Sequence, residues 1–231
     1  MKDYLKTGSI LMLYMIVAAF LVAAIYNFVN PYIQSAEFNA KLDAIKAVLV
    51  DFETDDYYIE DIPQTSEQLE EYIWEETEEN VMMTNSENSK IMSPAYKFET
   101  EDKEIYVLTI AGLGFGGDVT SVASFVKENE NVRLNKIEVI SYSQETPGLG
   151  AKIAEEGVQS RFYNIPEQGL ESNVQVDKDA GASSNPSMRE ELKKEGTVQT
   201  SDVMTGATIT PRGVANSLNI AVEFLSEKGV M

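Results

Sequence analysis

The sequence predicts an α+β protein: one N-terminal transmembrane helix followed by an antiparallel-sheet domain with flanking helices. Three observations predict it. Residues 10–29 are apolar and carry no charge, and about 20 such residues are what a helix needs to cross a hydrocarbon core. Between positions 96 and 142, four short runs rich in β-branched and aromatic residues are separated by Gly or Asn/Glu turns, the pattern of consecutive strands. From Thr210 onward, Val214, Leu218, Ala221, Val222 and Leu225 recur at the helical period before Gly229, which is the pattern of an amphipathic helix.

The N-terminal span reads ILMLYMIVAAFLVAAIYNFV, with Asn27 its only strongly polar residue. A cleaved signal peptide is the competing reading, because a short basic head precedes the run and Ala pairs lie within it. The run is longer than a signal core and ends in Tyr26, Asn27 and Phe28, an interface-like aromatic edge. Lys2 and Lys6 precede it, and the next base is Lys41. The positive-inside rule therefore puts the N-terminus in the cytoplasm and the rest outside. Three regions follow: a tail and transmembrane helix over 1–30, a juxtamembrane helix and acidic segment over 31–94, and the main domain over 95–231.

In the second region, Phe38, Leu42, Ile45, Val48 and Leu49 share one helical face, with Lys41 and Lys46 expected in solvent. Residues 51–79 contain no Lys or Arg and many acids. They lack the spaced acids and Gly of a loop calcium site, so a solvated acidic face is expected. Thr65 and Gln68 form a potential capping box for a short helix burying Leu69, Tyr72 and Ile73, and Trp74 is expected to pack. In the third region the strand-like runs are 96–98, 104–111, 119–126 and 134–142, most simply an antiparallel meander. Residues 112–117 match G-x-G-x-x-G. A second strand follows them where a dinucleotide site needs a helix, so they read as a hairpin. A helix is expected over 151–163, a polar surface loop within 174–196 and a short helix near 188–194.

Composition narrows the chemistry. The chain has 231 residues and neither Cys nor His. This excludes disulfides, chain-held iron–sulfur clusters, thiol nucleophiles, Cys/His zinc sites and Ser-His-Asp hydrolysis. With 38 acids against 18 bases the net charge is −20, which excludes an extended nucleic-acid surface. No metal site is expected, and redox chemistry requires a bound cofactor.

Two motifs remain. In Ser201-Asp202-Val203-Met204-Thr205-Gly206-Ala207-Thr208-Ile209-Thr210-Pro211-Arg212, Thr210 suits a helix N-cap and Pro211 the first helical position. The hydroxyls of Thr205 and Thr208 and the backbone of Gly206 lie beside the free N–H groups of that helix start, which favours a phosphate. A plain turn ahead of a capped helix is the bland alternative. Arg212 is either a phosphate counter-charge or a surface residue. The second motif, Glu145-Thr146-Pro147-Gly148-Leu149-Gly150, reads as a turn whose glycines admit close approach of backbone to a flat ligand.

Asp202-x-x-Thr205-Gly206-Ala207-Thr208 resembles the flavinylation motif of the covalent-FMN domain family, which includes the G subunit of the Rnf complex and the C subunit of the sodium-pumping NADH:quinone reductase. The 145–150 string is also characteristic of that family, and the resemblance spans the N-terminal helix and roughly 96–231. It implies FMN held by a phosphoester on Thr208, with Thr205, Gly206 and Ala207 around the phosphate. Asp202 would orient the threonine or hold the Mg²⁺ used by a flavin transferase, and Glu145, Thr146, Gly148 and Leu149 would lie against the isoalloxazine ring. The implied function is a membrane-anchored electron carrier with no stand-alone activity. Its partners would be the other membrane subunits of Rnf, a complex coupling ferredoxin:NAD⁺ oxidoreduction to Na⁺ or H⁺ transport. Length, the single span and the 145–150 motif fit the Rnf subunit better than its quinone-reductase relative. A rival from another class is a non-redox anchored adhesin or assembly factor working through its acidic face, which would show no flavin absorbance.

Overall fold

The computed structural model describes residues 2–231. Met1 and the side chains of Lys2 and Asp3, part of the basic head, lie outside the described residues. The chain divides into two compact units, 1–40 and 41–231, so the acidic segment belongs to the same unit as the sheet. The first helix, α1, runs Lys2–Val48 with Pro31 inside it.

In the first unit every side chain from position 10 to 29 is exposed. A helix apolar on all sides with no protein around it is suited to lipid, and α1 is long and apolar enough to cross a membrane.

The second unit begins with the last turns of α1, where Leu42, Ala44, Ile45, Val48 and Leu49 are buried. Helix α2 (Ser66–Glu70) is capped by Thr65, whose hydroxyl accepts from Gln68 N at 3.3 Å. Gln68 returns the bond one residue early, accepting from Gln64 N at 2.7 Å. The acidic segment then forms two short strands that its sequence does not announce, β1 (Ile73–Glu75) and β2 (Val81–Thr84). Both pair antiparallel with β3 (Lys90–Glu99). A meander continues through β4 (Lys103–Leu113), β5 (Asp118–Glu128) and β6 (Asn131–Ser141). The 112–117 glycines form the β4–β5 hairpin, with Gly114 N bonded to Gly117 O at 2.8 Å.

Beyond β6 the chain makes a 3₁₀ turn (Gly150–Ala154), α3 (Glu156–Gln159), another 3₁₀ turn (Ser160–Phe162) and α4 (Glu167–Glu171). Then come β7 (Gln175–Val176), α5 (Asp177–Ala180), a 3₁₀ turn (Pro186–Met188), α6 (Arg189–Lys194), β8 (Thr197–Val198) and α7 (Ile209–Glu227). The helix expected over 151–163 is thus broken. Ile153 and Val158 are both buried, yet five residues apart on a straight helix they would diverge by roughly 140°. Glu155 adopts an extended conformation, φ −76°, ψ 134°, which turns both side chains inward.

The central strands are buried on both faces. Tyr106, Leu108 and Ile110 of β4 share one core with Val214, Leu218 and Phe224 of α7. On the opposite face, Ser124 Oγ donates to Val48 O at 2.7 Å, and Asn135 Nδ2 donates to Val48 O and Val50 O at 3.0 and 2.9 Å. The end of α1, the sheet and α7 therefore form three layers, and Ser124 and Asn135 satisfy carbonyls that a helix terminus leaves open. Trp74 packs edge-on against Tyr106 and Phe224, with ring centroids 4.8 and 6.0 Å away.

Helix α7 ends in a Schellman motif. Gly229, at φ +72°, follows the C-cap Lys228, Val230 N bonds to Leu225 O at 2.9 Å and Gly229 N to Ser226 O at 3.1 Å. At its other end, Gly213 lies directly on the backbone of β4. A Cβ on Gly112 would run into the Gly213 carbonyl, and one on Gly213 would stand 2.5 Å from Leu113 O. This close approach delivers the start of α7 to the β4–β5 hairpin.

Candidate functional site

The site is assembled where three loops meet the first turn of α7. In the loop after β6, Leu149 N bonds to Thr146 O at 3.1 Å. Pro147 and Gly148, at φ +74°, occupy the two central positions of a type II turn, where only a residue tolerant of positive φ fits third. The loop before α7 repeats the device. Ala207 N bonds to Met204 O at 3.3 Å with Gly206 at φ +85° between them. The two turns face each other, with Leu149 Cδ2 3.8 Å from the space a Cβ on Gly206 would take. Buried Met204 anchors the second turn in the core.

Between these turns lies a cavity of about 220 Å³ lined by Phe115, Glu145, Thr146, Leu149, Gly150, Gly206, Ala207, Thr208, Ile209 and Thr210. It is smaller than the roughly 300–1,000 Å³ of a site that encloses a drug-sized ligand, so it suits one end of a larger one. Phe115, Leu149 and Ile209 stand on its wall 70%, 44% and 42% exposed, giving apolar surface for a planar ring. Among the described residues, Glu145 is its one ionisable side chain.

Thr208, and not Thr210, is the N-cap of α7, and its side chain makes no capping hydrogen bond. Pro211 is consequently the third helical residue. The first intrahelical bond runs from Arg212 N to Thr208 O at 3.2 Å, so the N–H groups of Ile209 and Thr210 precede the ladder and point out of the helix start. Thr210 is buried, and its hydroxyl donates to Glu145 Oε2 at 2.6 Å. The reason is packing: the Gly112–Gly213 contact pulls the helix start onto the sheet and turns Thr210 inward.

Of the residues singled out in the sequence, Glu145, Thr146, Leu149, Gly206, Ala207 and Thr208 come together on this wall. Gly148, Thr205 and Asp202 do not line it. Gly148 shapes the turn, and exposed Thr205 donates its hydroxyl to Ser201 O at 3.4 Å. Asp202 pairs with Arg161 at 2.9 Å and Arg189 at 3.5 Å, so its carboxylate pins the loop to α6 and the 3₁₀ turn Ser160–Phe162. Arg212 forms a bidentate pair with Asp179, Nε–Oδ2 2.6 Å and Nη2–Oδ1 2.5 Å, and that pair, through the Arg212 hydrogen bonds, holds the Asp179 carboxyl below its usual range. Its side chain is 45% exposed, so it is a surface residue held in an ion pair.

Sequence reasoning missed Phe115, Ile209 and Thr210 as wall residues and gave the 174–196 loop no role. Within that loop Asp177 is buried, and its carboxylate accepts from Thr200 N at 3.2 Å, from Ser201 N at 3.3 Å and from the Ser201 hydroxyl. It fixes the entry to the 201–208 stretch from 24 residues away, and an acid inside a polar loop carries no local sign of such a partner.

The chemistry of this donor set fits a flavin mononucleotide. Backbone N–H groups at a helix start suit a phosphate, a free hydroxyl stands beside them, and the exposed apolar wall suits a ring. The FMN-binding domain family matches residues 114–223, which include every wall residue. No curated protein sequence matches the chain. Among solved structures, the Thermotoga maritima protein assigned as an RnfG subunit of an electron transport complex is 37% identical with a TM-score of 0.61, covering 82% of this chain and 98% of that one. The C subunit of the Na⁺-translocating NADH-quinone reductase from Parabacteroides distasonis is 18% identical with a TM-score of 0.46, covering 82% and 92%. Being 37% identical to that RnfG protein over 82% of its own length, the chain belongs to the family of RnfG-like proteins with an FMN-binding domain.

Proposed function

We propose that the chain is a membrane-anchored electron carrier, the G-type subunit of an Rnf complex, holding FMN by a phosphoester to Thr208. The observation that carries this reading is the position of Thr208: N-cap of α7, on the cavity wall, with a hydroxyl not spent on capping. The donor is a pyrophosphate-activated flavin nucleotide presented by a flavin transferase. The Thr208 Oγ–P bond forms as the P–O bond to the leaving nucleoside monophosphate breaks, and the hydroxyl proton goes to solvent. No electrons change hands in attachment. The N–H groups of Ile209 and Thr210 and the positive end of α7 would then hold the phosphate, which matters because, among the described residues, no Lys or Arg lines the cavity.

Bound there, FMN supplies the redox chemistry, and the chain supplies orientation, apolar contact and exclusion of water. Phe115, Leu149 and Ile209 would border the ring. With neither His nor Cys, the chain offers no thiol or imidazole for chemistry on a substrate, and in this reading it passes electrons between other membrane subunits. The positive-inside rule supports the orientation, with Lys2 and Lys6 before the span and the next base at Lys41: N-terminus in the cytoplasm, flavin outside. A covalent link suits that compartment, where a lost flavin has no soluble pool to rebind from. Thr208→Ala, coexpressed with the transferase, is expected to lose the in-gel flavin fluorescence that wild type shows. A fluorescent mutant band refutes the assignment.

A further inference from the structure

Glu145 is 6% exposed and forms no ion pair among the described residues; its partners are neutral donors. Oε1 accepts from Phe115 N at 2.8 Å and Gly116 N at 3.3 Å, and Oε2 accepts from the Thr210 hydroxyl at 2.6 Å. A buried carboxylate without a counter-charge is costly unless its oxygens are hydrogen-bonded, and three of its roughly four acceptor sites are used here. Those partners lie on the β4–β5 hairpin and on the first turn of α7, 30 and 65 residues away in sequence. The surroundings are cut to fit it. A Cβ on Gly114 or on Gly150 would collide with a Glu145 carboxylate oxygen, and one on Gly150 would also stand 2.8 Å from Thr210 Oγ1. The hairpin, the 142–150 loop and α7 thus meet at one carboxylate, two residues along the helix from Thr208.

We propose that Glu145 is a positioning residue that acts through Thr210: by holding that hydroxyl it fixes the first turn of α7 and aims the Thr208 hydroxyl for attachment of the flavin phosphate. This rests on the reading of Thr208 as the attachment site. It differs from a direct ring contact, because the carboxylate is already committed to three protein donors.

The test uses the full-length chain in detergent, purified flavin transferase, Mg²⁺ and a pyrophosphate-activated flavin donor. The rate of FMN mass gain on the Thr208 peptide is followed against chain concentration. E145A and T210V are each expected to lower the limiting rate at least tenfold, while the half-saturating chain concentration stays within about twofold. The double variant should be no slower than the slower single one, as for residues acting as one unit. T210S, which keeps the hydroxyl, should recover at least half the wild-type rate. Circular dichroism melts establish that each variant is folded; if T210V is not, T210A removes the hydroxyl without replacing it. Wild-type rates in T210V or T210A, or losses that multiply in the double variant, overturn the clamp alone. Absence of FMN mass on wild type removes the attachment reading and the clamp with it.

Discussion

At the scale of single residues, partners decide roles that residue type leaves open. The helical pattern puts Lys41 in solvent, but it is half-buried, with Nζ 5.3 Å from the Tyr96 ring centroid, and burial lowers its pKa to about 8. Its proton is therefore held less tightly in the folded chain than in the unfolded one. At pH 7 both states are protonated and the buried charge costs stability. Between pH 8 and about 10.5 the unfolded chain binds more protons, so this cost fades as pH rises. K41M should raise stability at pH 7 by about 1–2 kcal/mol, the desolvation gain less the lost cation–π contact. That advantage should disappear above about pH 10.5; urea melts at pH 7 and pH 10.5 check both. Asp202 and Arg212 make the same point. Each belongs to a stretch that attracts attention as a binding motif, and each is engaged in an ion pair with a distant side chain.

At the scale of elements, the decisive contact is the one between β4 and α7. Two glycines, Gly112 and Gly213, let backbone meet backbone, and that contact sets the position of Thr208 and Thr210. G112A should destabilise the domain by about 2–3 kcal/mol through overpacking and reduce flavin loading, because α7 must shift outward. Thermal melts and the bound-flavin absorbance read both effects, and a fully loaded, equally stable G112A would contradict the contact's role. The meander and α7 were legible because alternation and the 3.6-residue period are local signals. Strands β1 and β2 were not: β1 lies at the end of the acidic stretch and β2 just beyond it, and both exist by pairing with β3, a partner that periodicity does not reveal. The break at Glu155 was hidden for a similar reason, since it answers to the core that Ile153 and Val158 share.

At the scale of the whole molecule, an all-round apolar helix and a strongly acidic domain belong to one chain. The apolar run was plain in the sequence because a membrane span is a matter of length and composition. The cavity was half legible: two Gly-bearing turns announced themselves, while Asp177, Phe115 and Thr210, brought in by tertiary packing, did not. The orientation is open to a direct check because the chain has no native Cys. In intact cells, a membrane-impermeant maleimide should label S184C, on the exposed 183–185 loop, and leave K6C unlabelled until the membrane is opened. The reverse pattern would invert the topology. The central claim concerns one atom, Thr208 Oγ, and intact-mass measurement with peptide mapping tests it most directly. The chain coexpressed with a flavin transferase should carry one FMN, on the peptide containing Thr208 and on that residue alone. An unmodified chain, or FMN attached at any other residue, would contradict the account.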